Sequence, residues 1–155
     1  MLHVALYQPE IPPNTGNIIR LCANTGIILH LIHPLGFTVD DKKLKRAGLD
    51  YHEWTRVVHH KNYDAFLKEV TPARLFACST HGKQNYTAMT YQENDVFLFG
   101  PETRGLPKAL LSELPPKNVI RIPMLPHSRS LNLSNAVAIV TYEALRQLGF
   151  TSFML

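Results

Sequence analysis

The sequence predicts an α/β fold in which a mostly parallel sheet is covered by helices on both faces. Short apolar runs alternate with helix-forming segments along the chain, the order that parallel strands joined by crossover helices require. Some runs, above all Val96 to Phe99, are apolar without interruption, as strands buried on both sides are. That run stops abruptly in Gly100-Pro101-Glu102-Thr103-Arg104-Gly105-Leu106, a tight loop at a strand end, where open α/β sheets bind their ligands.

His3 to Tyr7 forms a first short strand, ended at once by Gln8-Pro9-Glu10-Ile11-Pro12-Pro13, because tandem prolines cannot join a ladder. A helix starts near Asn14, with Asn14 or Thr15 as its cap. Its apolar side is Ile18, Ile19, Leu21, Cys22 and Ala23, and it ends at Gly26. Ile27 to Ile32 is a second strand. Asp40 to Gly48 carries acids first and bases later, the order that suits the dipole of a short helix. Thr55 to Val58 is a brief strand, Asn62 to Val70 a capped helix and Arg74 to Ser79 another strand. Thr80 to Asn94 is the least apolar interior stretch and is expected as a surface loop. After the Gly100 loop come a helix from Pro107 to Leu111, a strand from Val119 to Ile122, and a long helix from Ser134 to Leu148 closed by Gly149. That helix carries Val137, Val140, Tyr142, Leu145 and Leu148 for burial in the core or at a subunit contact. The apolar tail Phe150 to Leu155 needs a groove or a partner to cover it.

A chain of 155 residues, 45% hydrophobic and 18% charged, suits one domain that buries about 70% of its unfolded surface. No repeat or linker divides it. Apolar runs are too short for a membrane span, and Gln8, Pro9 and Glu10 stand where a secretory signal would be apolar, so a cytoplasmic protein is expected. Cys22 and Cys78 are too few for a disulfide framework or a CxxC metal site, and read as buried free thiols. Sixteen Lys and Arg against twelve Asp and Glu leave a net charge of +4, which permits a polyanionic partner. His59 and His60, with His52 nearby, invite a metal; but neighbours in a strand face opposite sides and no HExxH or Cys/His spacing occurs, so no metal site is expected.

Three segments carry chemistry. In Asn14-Thr15-Gly16-Asn17-Ile18-Ile19-Arg20 a helix start offers backbone amides to an anion. Arg20 could clamp a phosphate or stabilise an alkoxide, or else Asn14 simply caps and Arg20 is solvated. In the second, Gly100 lets a bound molecule approach the backbone, Pro101 stiffens the turn, and Glu102 and Arg104 set opposite charges beside it; the alternative is a plain strand-to-helix turn. The third, Arg121 to Ala136, is dense in hydroxyl and amide groups. Ser130, Asn132 and Ser134 cannot all cap one helix, so at least one is free to bind something else.

Together these segments resemble the SPOUT superfamily of RNA methyltransferases, in its ribose 2′-O-methyltransferase branch. The motifs are Asn14-x-Gly16-Asn17-x-x-Arg20, Phe99-Gly100-Pro101-Glu102-x-x-Gly105-Leu106, and Ile122-Pro123-Met124 with Ser130-Leu131-Asn132-Leu133-Ser134-Asn135-Ala136, in the family's order and across nearly the whole chain. The resemblance implies a deep C-terminal trefoil knot, which generic folding rules would argue against, and a homodimer. It implies S-adenosyl-L-methionine held by Cys78, Ser79, Thr80, Gly100, Pro101, Glu102, Ile122, Pro123, Met124, Ser130 and Leu131. It further implies a tRNA anticodon loop as substrate, methylated on the ribose of a wobble cytidine or uridine in leucine tRNAs. Arg20 is then the residue at the 2′-hydroxyl. A guanidinium is a poor base, which favours stabilisation of the developing alkoxide. Glu102 is expected to organise Arg20 or the loop, with a base role left open, and Ser130 and Asn132 to orient cofactor or ribose. Asn17, Arg20, Lys42, Lys43, Lys45, Arg46, Arg104 and Arg129 are candidates for RNA contacts, the Lys42 to Arg46 run being equally readable as a solvated helix face.

Two other readings stand beside this one. A flavodoxin-like nucleotide-binding domain shares the open sheet, but neither GxxxxGK[ST] nor GxGxxG occurs. A non-catalytic RNA-binding module could keep the fold without activity, although Arg20, Glu102 and the third segment's polar residues are all present.

Overall fold

A computed structural model describes residues 1–39, 42, 53, 56–151 and 153. Its strands are β1 (His3–Tyr7), β2 (Ile28–Ile32), β3 (Val57–His60), β4 (Leu75–Cys78), β5 (Gln84–Asn85), β6 (Val96–Phe99) and β7 (Val119–Arg121). Its helices include α1 (Pro12–Thr25), α2 (Tyr63–Val70), α3 (Lys108–Ser112) and α4 (Leu133–Gln147). The strands form one sheet in the order β3-β2-β1-β6-β4-β7-β5, and every pairing is parallel.

Side chains alternate across this sheet with period two and so build two cores. Val4, Leu6, Leu29, Leu31, Phe76, Phe97 and Phe99 face α1 and α4, meeting Ile18, Ile19, Cys22, Val137 and Val140. Ala5, Ile32, Leu75, Ala77, Val96 and Leu98 face the other way, against Phe66 of α2 and Leu110 of α3. Asn62 caps α2 as expected, its side chain accepting the Ala65 N–H at 2.8 Å. On α4, Val137, Val140 and Leu145 are buried and Leu148 packs at the core's edge, whereas Tyr142 points outward.

Several expectations need correction. The predicted surface loop Thr80 to Asn94 contributes β5 to the sheet edge, and its Tyr91 is buried against Phe76 and Phe97. Its polar residues hid both, because a two-residue edge strand needs no apolar face. The strand expected from Thr55 to Val58 instead runs Val57–His60. Of the two covers expected for the tail, a groove or a partner, Phe150 and Phe153 find the first, lying against the chain's own core. The helix expected over Asp40 to Gly48 lies outside the described residues, Lys42 apart, as do Lys43, Lys45, Arg46 and His52.

β7 lies between β4 and β5, so the segment that joins β4 to β5 must cross it. The crossing is tight. The Ser79 N–H donates to the Ile120 carbonyl at 2.9 Å, and a Cβ at Gly82 would sit 2.7 Å from that same carbonyl group. Only a residue without a side chain passes there.

Diagonally placed histidines line the α2 side of the sheet. His3 Nδ1 is 3.0 Å from His30 Nε2, His30 Nδ1 is 2.9 Å from His60 Nε2, and His60 Nδ1 is 2.5 Å from Glu69 Oε2. A carboxylate accepts, so His60 donates to Glu69 from Nδ1, and the line of ring nitrogens continues through His30 to His3. The neighbouring His59 pairs on the opposite side with His33, at 2.8 Å, in keeping with the expected alternation. Burial first, then the nearby His3 and His60, push His30 down to about 4.

A histidine with a depressed folded-state pKa binds fewer protons folded than unfolded. The stability it contributes is intact above its unfolded value, near 6.5, and is lost as pH falls toward about 4. The melting temperature should therefore drop across that interval, and the drop should be shallower in His30→Phe; equal slopes in both proteins would show that another group is responsible.

Candidate active site

At the carboxyl ends of β4, β6 and β7 lies a cleft of about 620 Å³, a size ordinary for small-molecule sites. Three turns line it: Cys78 to His81 after β4, Gly100 to Lys108 after β6, and Ile122, Met124 and Ser130 to Leu133 after β7, joined by Ile11 and Asn14 at the start of α1. Of the eleven residues predicted to hold the cofactor, only Pro123 does not line the cleft. Ile11, Asn14, His81, Thr103 and Lys108 line it without having been predicted as site residues. Lys108 and Thr103 could have been found as neighbours of the Gly100 loop; Ile11 belongs to the Pro-rich break that was read only as a strand stop.

Gly100 lines the cleft, and its lack of a side chain serves the loop. A Cβ there would come within 2.4 Å of the Leu106 nitrogen and 2.6 Å of the Gly105 carbonyl carbon. The space a side chain would need is filled by the loop's own main chain, which folds back over the strand end.

The first segment also differs from its prediction. Ile11, not Asn14 or Thr15, is the N-cap of α1, and it makes no side-chain cap. Pro12 and Pro13 occupy the first positions, where a missing N–H costs least. The amides are spoken for: Ile11 N–H donates to Glu102 Oε1 at 3.1 Å, and Asn14 N–H to the Ile11 carbonyl at 3.1 Å. No anion site with free amides exists at this helix start. Asn14, buried inside the first turn, instead accepts a hydrogen bond from Asn132 Nδ2 at 3.0 Å, tying the first segment to the third.

Asn132 caps α4, accepting the N–H groups of Ser134 at 2.9 Å and Asn135 at 3.3 Å and the Ser134 hydroxyl at 2.6 Å. Among the expected polar trio, then, Asn132 is the cap, Ser134 supports it, and Ser130 is left to face the cleft. Glu102 ties the loop after β6 to the turn before α1, accepting the Glu10 N–H at 2.7 Å and the Ile11 N–H. Glu10 answers from the other side, accepting Thr103 N–H at 3.0 Å and its hydroxyl at 2.7 Å, with Arg104 Nε at 3.8 Å. These contacts, the Thr103 amide first, hold the Glu10 carboxyl below its ordinary pKa.

Arg20 does not line this cleft. Half-exposed further along α1, it pairs through Nε with Glu53, at 3.1 Å. Arg104 is on the rim, and Asn17, Lys42 and Arg129 are exposed away from the lining. Burial pushes both thiols, Cys22 and Cys78, up to about 12, so Cys78 meets a ligand as a neutral wall.

A profile of the SpoU rRNA Methylase family matches residues 1–142. The chain belongs to that family. Its relatives include a tRNA (cytidine(34)-2'-O)-methyltransferase of Escherichia coli strain K12, 61% identical over 155 residues, covering all of this chain and 99% of that protein. A solved structure described as "Structural insights into the 2-OH methylation of C/U34 on tRNA" superposes with a TM-score of 0.89 at 47% identity, over 97% of each chain. An AdoMet-bound rRNA methyltransferase from Sinorhizobium meliloti superposes with a TM-score of 0.81 at 28% identity, covering 95% of this chain and 56% of that one. As a member of the SpoU family the chain is an S-adenosylmethionine-dependent methyltransferase.

The lining fits that cofactor. Among the described residues its only acidic side chain is Glu102, which has both oxygens engaged, and Phe99, Leu106, Ile122 and Leu131 offer apolar walls between main-chain turns. Removing the Asn132 amide should strip the cap of α4 and its tie to Asn14: Asn132→Ala is expected to lose about 1–2 kcal/mol in urea unfolding. Gly100→Ala should weaken S-adenosylmethionine binding in calorimetry by displacing the loop, with the far-ultraviolet circular dichroism unchanged.

Proposed function

We propose that this protein is a tRNA 2′-O-methyltransferase that methylates the ribose of the wobble nucleotide, cytidine or a modified uridine in leucine tRNAs. The convergence of three sequence-distant turns into one cleft at the strand ends carries the reading. S-adenosylmethionine supplies a methyl group already activated by the sulfonium charge. Cys78 to Thr80, Gly100 to Glu102, Ile122, Met124, Ser130 and Leu131 would hold it, mostly through main-chain groups, which explains the small residues and prolines of these turns.

A ribose 2′-hydroxyl is weakly acidic, so the protein must align the oxygen and stabilise the charge that grows on it. Arg20 is suited to that, since a guanidinium stays cationic in proteins. Glu102 is not suited to take the proton, because protonating it would loosen the amides of Glu10 and Ile11. Arg104 on the rim, with Asn17, Lys42, Lys43, Arg46 and Arg129, supplies cations and amides for the RNA backbone.

The enzyme works as a homodimer in this reading. Arg20 lies outside the lining of its own cleft and completes the cleft of a second copy, while exposed Ile11, Leu125, Leu131 and Tyr142 supply apolar contact surface. The passage of the β4–β5 connection over β7 is the crossing of a C-terminal trefoil knot, within one domain spanning 1–155. Among the described residues no helix is long and apolar enough to cross a membrane, which accords with a cytoplasmic enzyme.

Purified protein should bind S-adenosylmethionine in calorimetry and install one ribose methyl at the wobble position of tRNA; no binding would end the reading. Arg20→Ala should cut the methylation rate by about 10²- to 10³-fold with cofactor affinity nearly unchanged. Mixing Arg20→Ala with Gly100→Val subunits should restore part of the activity that neither has alone, and no recovery would place Arg20 in its own subunit's cleft.

A further inference from the structure

The contacts between residues 8–11 and 102–104 form a reciprocal clasp. Glu102 takes the main-chain amides of Glu10 and Ile11, and Glu10 takes the main-chain amide of Thr103. Each carboxylate therefore fixes the other's backbone. Glu102 faces the cleft; Glu10 does not, and any effect it has on the site must pass through its neighbours.

Those neighbours are divided between its two oxygens. Oε1 accepts both Thr103 donors, the amide at 3.0 Å and the hydroxyl at 2.7 Å. Oε2 faces Arg104 Nε at 3.8 Å, and Gln8 Oε1 meets Arg104 Nη2 at 3.4 Å. Thr103 and Arg104 both line the cleft. Gly36, whose own added Cβ would meet the Glu10 Cα at 2.9 Å, packs against this residue from behind and leaves its backbone little room to shift.

We propose that Glu10 is a positioning residue with two separable tasks: Oε1 sets the cofactor loop through Thr103, and the charge on the carboxylate steers Arg104 to where an RNA phosphate is met. The second task rests on the methyltransferase reading above; the first is a property of the loop alone. A loop fixed before binding spares the ordering cost that binding would otherwise carry.

Glu10→Gln keeps an acceptor for Thr103 and loses the charge beside Arg104, whereas Glu10→Ala loses both. In the full-length protein Glu10→Gln should keep the calorimetric Kd for S-adenosylmethionine within about twofold and raise the KM for tRNA several-fold with little change in kcat. Glu10→Ala should also raise the cofactor Kd about tenfold, the worth of one charge-assisted hydrogen bond. Hydrogen exchange at the Thr103 amide in cofactor-free protein reads the clasp independently of catalysis. It should be slow in the wild type and in Glu10→Gln, and fast in Glu10→Ala. Wild-type exchange and wild-type Kd in Glu10→Ala would overturn the proposal, and so would equal losses in both variants accompanied by a lowered melting temperature. A protected Thr103 amide in a wild-type protein that binds no S-adenosylmethionine would overturn the methyltransferase reading and leave the loop-setting task standing.

Discussion

The insertion of β7 between β4 and β5 is the constraint on which the rest of the molecule depends. A strand that enters the sheet between two earlier ones forces their connection to arch over it, and the arch closes on the Ile120 carbonyl with no room for a side chain at Gly82. The chain leaving β7 must then return across the same strand ends to reach α4. Three turns from distant parts of the sequence thus have only one place to meet. The cleft is a consequence of strand order before it is a consequence of any side chain.

Once the main chain encloses the site, side chains are released for fastening. Asn132 binds Asn14, Glu102 binds the turn before α1, and Glu10 binds the loop after β6. All three side chains are engaged in fastening one segment to another, through main-chain amides or through the side chains of Asn14 and Thr103. Charge-assisted bonds to main-chain amides are stronger than neutral ones and strongly directional, so a few of them suffice to hold exposed loops that have little apolar area to bury.

The sheet was legible because its strands are short, apolar and punctuated: β1 and β6 fall where the sequence puts them. Local signals failed where a long-range contact replaced them. Asn14 has the chemistry of a cap, yet the prolines before it had already made the helix start, and its partner stands 118 residues away. Gly100 has the look of space left for a ligand, and only the folded loop reveals that Gly105 and Leu106 occupy it. β5 is two polar residues whose strand character exists solely through pairing with β7. The histidine line was hidden for a similar reason. His3, His30 and His60 share no local pattern, and only the register of β1, β2 and β3 brings them to one face.

The position of Arg20 follows from the same division between enclosure and fastening. Its helix begins at the cleft with Ile11 and Asn14, and both are held there, one by Glu102 and the other by Asn132. A helix advances about 1.5 Å per residue, so six residues beyond Asn14 the guanidinium-bearing position is carried roughly 9 Å along the axis. The contacts that anchor the helix start are therefore the ones that remove Arg20 from its own cleft. There the side chain is half-exposed and braced by Glu53. In the dimeric reading proposed above, two chains must be correctly apposed before charge on the ribose oxygen can be met.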